Sequence, residues 1–317
     1  MGAITMTELP KLALGAWAWG DSANYFGNDY DESHFKNVYN ASIKAGLNLW
    51  DTAYAYGKGK SETILGDLMA NTPRQDLFIS TKFTPMMADP GNKNSVNEMF
   101  AGSLARLKTD YVDYYWIHND DDVELWTPKI IPLVKSGQVK HVGVSNHDLH
   151  EIKRVVEILG DAGIKLSAVQ NHYSLLDRTS EKAGILEYCQ ENGIKFFSYM
   201  VLEQGALTGK YDEDHPFPAG SQRAVKYNSK LRELSGLNHV LAEIGAKRNV
   251  SAAQIAMAWA IAKGTFPIIG VTKVEQVEDA ANVAKISLKD DEIQALENSA
   301  KEAGISTIRE WEKDMTD

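Results

Sequence analysis

Short apolar runs alternate with amphipathic stretches from residue 12 almost to the end of the chain. The runs are rich in β-branched and aromatic residues, which is typical of strands buried on both faces. Between them, apolar residues recur three and four positions apart, the spacing of a helix that buries one face. Strands are predicted at residues 12–17, 47–52, 77–83, 112–118, 141–146, 166–173, 194–200 and 266–270.

Three of the predicted helices end in similar turns, AGLNL, AGIKL and NGIKF. Their glycines, Gly46, Gly163 and Gly193, suit the left-handed position that follows a helix. Eight strand–helix units predict an α/β fold, a (β/α)8 TIM barrel formed by a single domain over residues 1–317. The alternative is a doubly wound sheet with an added domain. It would usually show G-x-G-x-x-G after its first strand, but GKGKSE has Glu62 at the third glycine.

Two segments interrupt the alternation. Residues 203–230 are predicted to form a long loop after strand seven. Such a loop lies on the catalytic face of a barrel and is more often functional than idle. The sequence from Leu288 onward predicts a C-terminal capping helix.

Composition narrows the classes of partner. The chain has 317 residues, 44% of them hydrophobic, and a formal charge of −10 without a basic run, so we expect no nucleic-acid partner. The first twenty residues lack a secretory pattern, and no apolar run approaches the roughly 20 residues of a spanning helix, so we expect a cytoplasmic protein without a membrane partner. The lone cysteine, Cys189, is expected to be a small buried hydrophobe.

Four side chains of complementary chemistry lie at the carboxyl ends of consecutive predicted strands. Asp51 and Tyr56 follow strand two, Lys82 lies near the end of strand three and His118 ends strand four. A neighbouring ammonium stabilises a phenolate, so Lys82 is expected to lower the pKa of Tyr56, with Asp51 as its counter-ion. The set suits proton transfer to a carbonyl oxygen, with His118 as a second donor. Each residue alone has an ordinary structural explanation, but their shared position favours catalysis.

The segment GLNLWDTAYAYGKGKSETILG resembles the signature of the aldo-keto reductase family. STKF, YVDYYWIH, VGVSN, VQNHYSLLDR and QGALTGKY follow in the family's order and at its usual intervals, so the resemblance covers essentially the whole chain. It implies a (β/α)8 reductase that uses NAD(P)H without a metal, with Asp51, Tyr56, Lys82 and His118 as catalytic residues. In that family the tyrosine protonates the carbonyl as hydride arrives, lysine and aspartate tune it, and histidine orients the substrate.

The resemblance also implies a set of cofactor contacts. Ser145, Asn146 and Gln170 match the residues that hold the nicotinamide carboxamide, and amide side chains suit this role because a carboxamide needs both a donor and an acceptor. Tyr199 matches the aromatic residue that stacks on the nicotinamide ring. The remaining implied contacts lie in the loop that crosses the pyrophosphate and after strand eight, and they are Leu202, Gln204, Gly205, Leu207, Gly270, Thr272, Lys273 and Gln276.

The chain departs from the family pattern at several positions near the implied cofactor contacts. Met200 stands where the family commonly has a serine, Ala280 replaces the usual asparagine beside the adenine, and Gln276 stands where many NADPH-specific members carry an arginine. Lys273, helped by Thr272, could bind a 2′-phosphate at the start of a helix. A single lysine is a weaker phosphate clamp than a lysine–arginine pair. We therefore expect NADP(H), with NAD(H) use left open.

The expected substrate is a small neutral aldehyde, ketone or sugar, handled by a monomer or a homo-oligomer. Among the aromatic residues near strands one to four, we select Trp17 and Trp19 as substrate contacts. The other aromatic candidates for the pocket wall are Tyr25, Phe26, Phe83 and Trp116.

Two other functions remain open on sequence alone. A metal-dependent barrel hydrolase would use His118 with the acidic residues 120–122, but the chain lacks the His-x-His that such barrels usually supply after strand one. An NADPH-binding regulatory or sensor subunit with little turnover is the second, because some relatives of this family accompany ion channels. The complete set of four catalytic residues argues against pure binding.

Overall fold

Eight parallel strands close into a barrel in the computed structural model, which describes residues 9–20, 25–26 and 30–316. The strands are β1 Ala13–Gly15, β2 Leu49–Asp51, β3 Phe78–Phe83, β4 Val112–Ile117, β5 Val139–Ser145, β6 Ala168–His172, β7 Lys195–Tyr199 and β8 Phe266–Gly270. Each pairs with its neighbour in sequence, and β8 returns to pair with β1, so the sheet has no free edge. The predicted (β/α)8 barrel is confirmed, and the doubly wound alternative is wrong.

Helices connect the strands and cover the outside of the barrel. In the described part of the chain they are α1 Glu32–Lys44, α2 Lys60–Met69, α3 Ser95–Leu107, α4 Val123–Lys135, α5 Leu149–Asp161, α6 Thr179–Lys182, α7 Ile185–Glu191, α8 Gln222–Tyr227, α9 Leu231–Ala246, α10 Ala252–Ala262, α11 Val274–Val283 and α12 Asp290–Ala303. All eight predicted strands are present, with ends that differ from the prediction by two residues at most.

Local sequence signals explain several helix ends. Asp148 caps α5 by accepting a hydrogen bond from the amide of Glu151, whose side chain accepts one in return from the amide of Asp148. Such reciprocal caps satisfy two of the amide groups that a helix start leaves without partners. The predicted terminating glycines Gly46, Gly163 and Gly193 have φ values of 76°, 73° and 65°, as expected for that role.

Aromatic rings fill part of the barrel interior. Trp116 lies stacked at 5.8 Å from Tyr114 and edge-on at 5.4 Å from Phe197, measured between ring centroids. All three side chains are almost fully buried. A packed interior is the rule for this fold, and it leaves the carboxyl ends of the strands as the face for a binding site.

The two segments that interrupt the alternation are also present. The long connection after β7 contains the short helix α8 near its end. The C-terminal helix is α12, which packs against α9, and residues 304–316 then continue across the carboxyl ends of β4 to β7 through side-chain contacts described below. Cys189 is buried as expected, and burial raises the pKa of its thiol to about 12. Within the described residues, every helix is too short or too polar to cross a bilayer.

Candidate active site

A cavity of about 700 Å³ opens at the carboxyl ends of the strands. Its volume lies in the range of small-molecule and cofactor sites, and its location is that of the active site in barrels of this type. Every predicted site residue lines this cavity except Lys82, Leu207 and Trp19. Lys82 lies directly behind the wall, in hydrogen-bond contact with Tyr56.

Tyr56 connects the cavity to a buried ion pair. Its hydroxyl accepts a hydrogen bond from Nζ of Lys82 at 3.0 Å. The same ammonium donates to Oδ2 of Asp51 at 2.6 Å and to the carbonyl of Thr52 at 2.8 Å. The side chains of Lys82 and Asp51 are 0% and 4% exposed. The structure therefore brings together the phenol, the ammonium and the carboxylate that were predicted to act together.

The sheet register holds Asp51 in place. Asp51 lies beside Ser80 in the β2–β3 pair, and the Ser80 hydroxyl donates to Oδ1 of Asp51 at 2.7 Å. The indole N–H of Trp116 donates in turn to Oγ of Ser80 at 2.6 Å. Ser80 and Lys82 share one face of β3 because side chains alternate along a strand. The barrel interior thus supports both oxygens of the carboxylate.

Two glycines allow the loop after β2 to meet the turn after β1. Gly57 has a φ of 64°, and a Cβ there would lie 2.3 Å from the carbonyl oxygen of Gly20. A Cβ on Gly20 would lie 2.6 Å from the carbonyl oxygen of Tyr56. This close approach leaves the rings of Tyr56 and Trp17 stacked at 5.7 Å between centroids. A larger residue at either glycine would push the loops apart and displace Tyr56.

His118 lies edge-on to the ring of Tyr56, with centroids 5.9 Å apart. Its Nδ1 is 3.2 Å from the hydroxyl oxygen of Thr84. Burial, reinforced by the charge of Lys82, holds the pKa of His118 well below its usual range. The imidazole is therefore neutral at neutral pH and can donate an N–H without carrying a positive charge.

The sign of the Tyr56 shift differs from the expectation. Burial raises the pKa of Tyr56 above its ordinary value, Lys82 lowers it and Asp51 raises it, and the net shift is upward. Desolvation of the phenolate therefore outweighs the ammonium. Burial alone would lower the pKa of Lys82, but Asp51 and Tyr56 raise it, so this lysine stays charged. The phenol is fully protonated at neutral pH beside a permanent positive charge.

The residues implied for the nicotinamide carboxamide also line the cavity. Nδ2 of Asn146 donates to the carbonyl of His118 at 2.9 Å, and the hydroxyl of Tyr199 lies 2.5 Å from Oδ1 of the same asparagine. Nε2 of Gln170 lies 3.3 Å from Oδ1 of Asp51. Ser145 is adjacent and almost fully buried. Two of the four predicted catalytic residues, His118 and Asp51, therefore hold the amide side chains of Asn146 and Gln170.

The segment after β8 is organised by one side chain. Oε1 of Gln276 accepts hydrogen bonds from the amides of Thr272 and Lys273 at 2.7 Å and 3.0 Å. Gln276 therefore caps the start of α11, at which Lys273 is the N-terminal flanking residue. Together with Gly270, these residues line the cavity, as do Leu202, Gln204 and Gly205 of the loop after β7.

Two predicted contacts do not reach the cavity. Trp19 is 1% exposed, stacks on Phe35 at 4.8 Å between centroids and donates its indole N–H to the carbonyl of Val271. It therefore packs behind the barrel wall. The side chain of Leu207 is fully buried in the hydrophobic core, and its amide is bonded to the carbonyl of Leu202. Both residues have the sequence spacing of the family's contacts, but their side chains pack in the hydrophobic core instead of lining the cavity.

The remaining aromatic candidates divide in the same way. Tyr25 and Phe26 line the cavity beside Trp17, each with its ring centroid 5.0 Å from the Trp17 ring. Phe83 and Trp116 are fully buried and do not line it.

Several cavity residues were not predicted as site residues. Arg223 of α8 donates to the carbonyls of Phe26 and Gln204, and its buried Nε has no hydrogen-bond partner among the residues that the structure describes. Lys210 lines the same side, and Met86 and Trp311 form exposed apolar parts of the wall. The only sequence signal for Arg223 and Lys210 was their position in the long loop after strand seven. Nothing in the sequence pointed to Trp311.

In the part of the chain that the structure describes, no group of three or more His, Cys, Asp and Glu side chains is arranged to hold a metal ion. The acidic residue Asp120 instead forms an ion pair with Lys313 at 2.7 Å. His118 faces Tyr56 and Thr84, as described above.

Known proteins resemble this chain over nearly its full length. Pyridoxal reductase from the chloroplast of Arabidopsis thaliana is 30% identical over 95% of this chain and 86% of its own length. An NADH-specific methylglyoxal reductase of Escherichia coli is 29% identical over 90% of this chain and 93% of its own. Among solved structures, the glycerol dehydrogenase of Gluconobacter oxydans superposes with a TM-score of 0.82 at 25% identity, covering 96% of this chain and 95% of that chain.

A second solved structure was determined with a nicotinamide cofactor. The aldo-keto reductase of Klebsiella pneumoniae in complex with NADPH has a TM-score of 0.73 at 25% identity and covers 92% of this chain and 90% of that chain. The model of the aldo/keto reductase family matches residues 11–301. With the closed barrel and the cavity at its carboxyl end, these matches show that the chain belongs to the aldo/keto reductase family of NAD(P)-dependent oxidoreductases.

Proposed function

We propose that this protein catalyses the reversible reduction of a small aldehyde, ketone or sugar by NADP(H), with Tyr56 as the general acid. The observation that carries the proposal is the 3.0 Å contact between the hydroxyl of Tyr56, a residue that lines the cavity, and the buried ammonium of Lys82. Family membership favours this chemistry over the metal-dependent hydrolase.

Tyr56 would donate its proton to the carbonyl oxygen of the substrate. Because the pKa of Tyr56 is raised, the hydroxyl carries its proton throughout the neutral range. As the proton leaves, Lys82 stabilises the phenolate, and Asp51 keeps the lysine charged and oriented. The neutral ring of His118 would orient the same carbonyl oxygen by donating a second hydrogen bond.

The cavity residues fit a nicotinamide dinucleotide, which when bound supplies the hydride that reduces the carbonyl carbon. Asn146 and Gln170 offer donor and acceptor groups for a carboxamide, and Tyr199 offers a ring face. Arg223 places a guanidinium at the cavity wall, and its buried Nε meets no acceptor in the described part of the chain. A phosphate oxygen would satisfy such a donor, since guanidinium groups suit phosphate. Lys210 adds a second positive charge on the cavity wall.

NADP(H) is the preferred cofactor in this proposal. Lys273 lies at the start of α11, where its charge and the helix amides would favour a 2′-phosphate. The Gln276 side chain is engaged in capping that helix, so the lysine would act without a neighbouring arginine. Because the E. coli relative is named as NADH-specific, NAD(H) is the alternative cofactor, and the titration with NADH tests it.

The pocket wall favours a substrate with an apolar face next to the carbonyl. Trp17 stacks on Tyr56, and Trp311 contacts Trp17 edge-on at 6.4 Å between centroids. Two relatives are named for the reduction of pyridoxal and of methylglyoxal. Small aldehydes are therefore the first substrates to test, followed by ketones and sugars.

We also propose that the protein is cytoplasmic and that it acts as a monomer or a homo-oligomer.

The test is a fluorescence titration with NADPH and with NADH, followed by turnover measurements on aldehydes, ketones and sugars. The proposal predicts cofactor binding together with carbonyl-dependent oxidation of the reduced nicotinamide. Tight NADPH binding without turnover across all carbonyl classes would instead support the regulatory or sensor subunit. Failure to bind either cofactor would contradict both functions.

A further inference from the structure

Four buried charged side chains join residues 304–316 to the cavity. We call His172, Glu203, Arg309 and Glu312 the charged latch. Their side chains are 4%, 0%, 4% and 2% exposed. None of them belongs to the catalytic set, and burying four charges is costly unless each is paired. The contacts of these four side chains show which parts of the chain they connect.

Glu203 is the centre of the latch. Oε1 accepts hydrogen bonds from Nε2 of His172 at 2.7 Å, from Ser174 at 2.6 Å and from Thr307 at 3.0 Å. Oε2 accepts one from the hydroxyl of Tyr227 at 2.7 Å. These partners come from β6 and the turn that follows it, from α8 and from the C-terminal segment. One carboxylate thus joins three parts of the chain that surround the cavity.

The latch holds a strained backbone next to the cavity. Met200, Glu203 and Gln204 have φ values of 61°, 47° and 56°, a region that residues other than glycine seldom adopt. Gln204 lines the cavity, and Nη2 of Arg309 donates to its Oε1 at 3.2 Å. Backbone strain persists only where surrounding contacts fix it, and it is concentrated at functional sites.

Glu312 extends the latch to the ring implied for nicotinamide stacking. Its Oε2 accepts hydrogen bonds from Nδ1 of His172 at 3.0 Å and from the amide of Arg309 at 2.8 Å. Its Oε1 lies 3.0 Å from the hydroxyl of Tyr199, which also lies 2.5 Å from Oδ1 of Asn146. Both Tyr199 and Asn146 line the cavity. The C-terminal segment therefore contacts two cavity-lining side chains through charged groups, Tyr199 through Glu312 and Gln204 through Arg309.

A purely mechanical anchor would not need these contacts. Lys313 already fastens the segment through ion pairs with Asp120, Asp148 and Glu151 at 2.6–3.0 Å. None of these three acidic residues lines the cavity. The latch adds directed hydrogen bonds to the two side chains whose orientation matters for a bound nicotinamide.

We infer that Glu312 and Arg309 are positioning residues for the cofactor, Glu312 through Tyr199 and Arg309 through Gln204. The inference rests on the proposed function. Ordering of residues 307–315 and binding of the cofactor are then coupled. The ordered segment raises the affinity for the cofactor, and bound cofactor raises the equilibrium constant for ordering by the same factor.

The first experiment compares Glu312→Gln with Glu310→Gln. Glu310 is exposed and lies two residues away on the same segment, so its variant removes an equal charge without touching the latch. Glu312→Gln is expected to raise the Kd for NADPH about tenfold, a usual size for coupling between sites, with a smaller change in the KM for the carbonyl. Glu310→Gln is expected to leave both constants unchanged. An unchanged Kd in Glu312→Gln would overturn the inference.

A double-mutant cycle separates positioning from general destabilisation. Tyr199→Phe keeps the ring and removes the hydroxyl that contacts Glu312. If Glu312 acts through this hydroxyl, Glu312→Gln changes the Kd little further in the Tyr199→Phe background. Fully additive losses would mean that the carboxylate acts on the cofactor site by another route, and would overturn the proposed role.

Hydrogen exchange on the unaltered protein covers the case in which a variant fails to fold. Saturating NADPH is expected to slow amide exchange in residues 307–315, and unchanged exchange there would overturn the coupling. If the unaltered protein does not bind NADPH or NADH in the same titration, the proposed function fails and this inference fails with it. Binding to the unaltered protein with no response in the variant or the segment refutes this inference alone.

Discussion

Replacing Tyr56 by phenylalanine removes one hydroxyl from the centre of the site. The ring keeps its stacking on Trp17 and its edge contact with His118. The hydrogen bond from Lys82 is lost, while the bonds from the same ammonium to Asp51 and Thr52 remain. The variant therefore isolates the proton donor from the architecture that surrounds it.

The expected losses differ between stability and rate. A single hydrogen bond to a charged group contributes about 1.5–3 kcal/mol, so the free energy of unfolding should fall by no more than that amount. Loss of a general acid slows a reaction by about 10²–10⁴-fold, which corresponds to about 2.7–5.5 kcal/mol in the activation barrier. Cofactor affinity should change little, because the proposed partner of this hydroxyl is the substrate's carbonyl oxygen.

The assay follows loss of the reduced nicotinamide with a saturating aldehyde, alongside fluorescence titration of NADPH. Tyr54→Phe is the matched control, because it removes a phenolic hydroxyl from the same loop at a ring that lies against Arg106 and does not line the cavity. We expect the control to keep full activity. A Tyr56→Phe enzyme that retains most of its kcat would refute the assignment of the proton donor.

Two further predictions concern Lys273 at the start of α11 and His172 beside Glu203. Lys273→Ala should raise the Kd for NADPH about tenfold and leave the Kd for NADH nearly unchanged, because only NADPH carries the 2′-phosphate that this lysine would contact. Paired titrations of the variant and the unaltered protein measure both Kd values. Burial alone would lower the pKa of His172, but the charges of Glu203 and Glu312 together outweigh it and raise the pKa to about 10. Its stabilisation is thus complete below the ordinary value of 6.5 and is lost as pH rises towards about 10, so His172→Gln should flatten the pH dependence of urea unfolding in this range.

Each of these predictions has its own control. Lys285→Ala removes a lysine just beyond the far end of α11 and should change neither affinity. Equal losses for both cofactors in Lys273→Ala would mean that Lys273 does not contact the 2′-phosphate. For His172→Gln, unfolding curves that run parallel to those of the unaltered protein across the range would mean that the buried imidazole does not titrate as described.

Periodicity predicted the fold well because a buried parallel strand and a one-sided helix leave different apolar spacings. Even the three-residue strands β1 and β2 lie inside predicted strand segments. In the structure, pairing with neighbouring strands holds both of them in the closed sheet. The four proposed catalytic residues were predicted to lie together because each is at or near the carboxyl end of a strand. Their assembly into one contact network required only that parallel strands end at the same face.

The remaining features depend on contacts between distant residues. Trp19 and Leu207 have suitable spacing, but whether a side chain faces the cavity or the outer layer is decided by packing against residues such as Phe35. Glu312 contacts His172 across 140 positions of sequence, and no local pattern encodes such a pairing. The sign of the Tyr56 shift also needed coordinates, because only they give the balance between burial and the charge of Lys82.

The Lys82–Asp51 ion pair limits how this enzyme can be engineered for heat resistance. Two charges withdrawn from water each carry a desolvation penalty of several kcal/mol, and an apolar pair of similar volume is often as stable or more stable. Selection for folding alone would therefore favour the removal of both residues, and the proposed support for proton release from Tyr56 would be lost with them. Any campaign for thermostable variants has to hold positions 51 and 82 constant and seek its gains elsewhere in the chain.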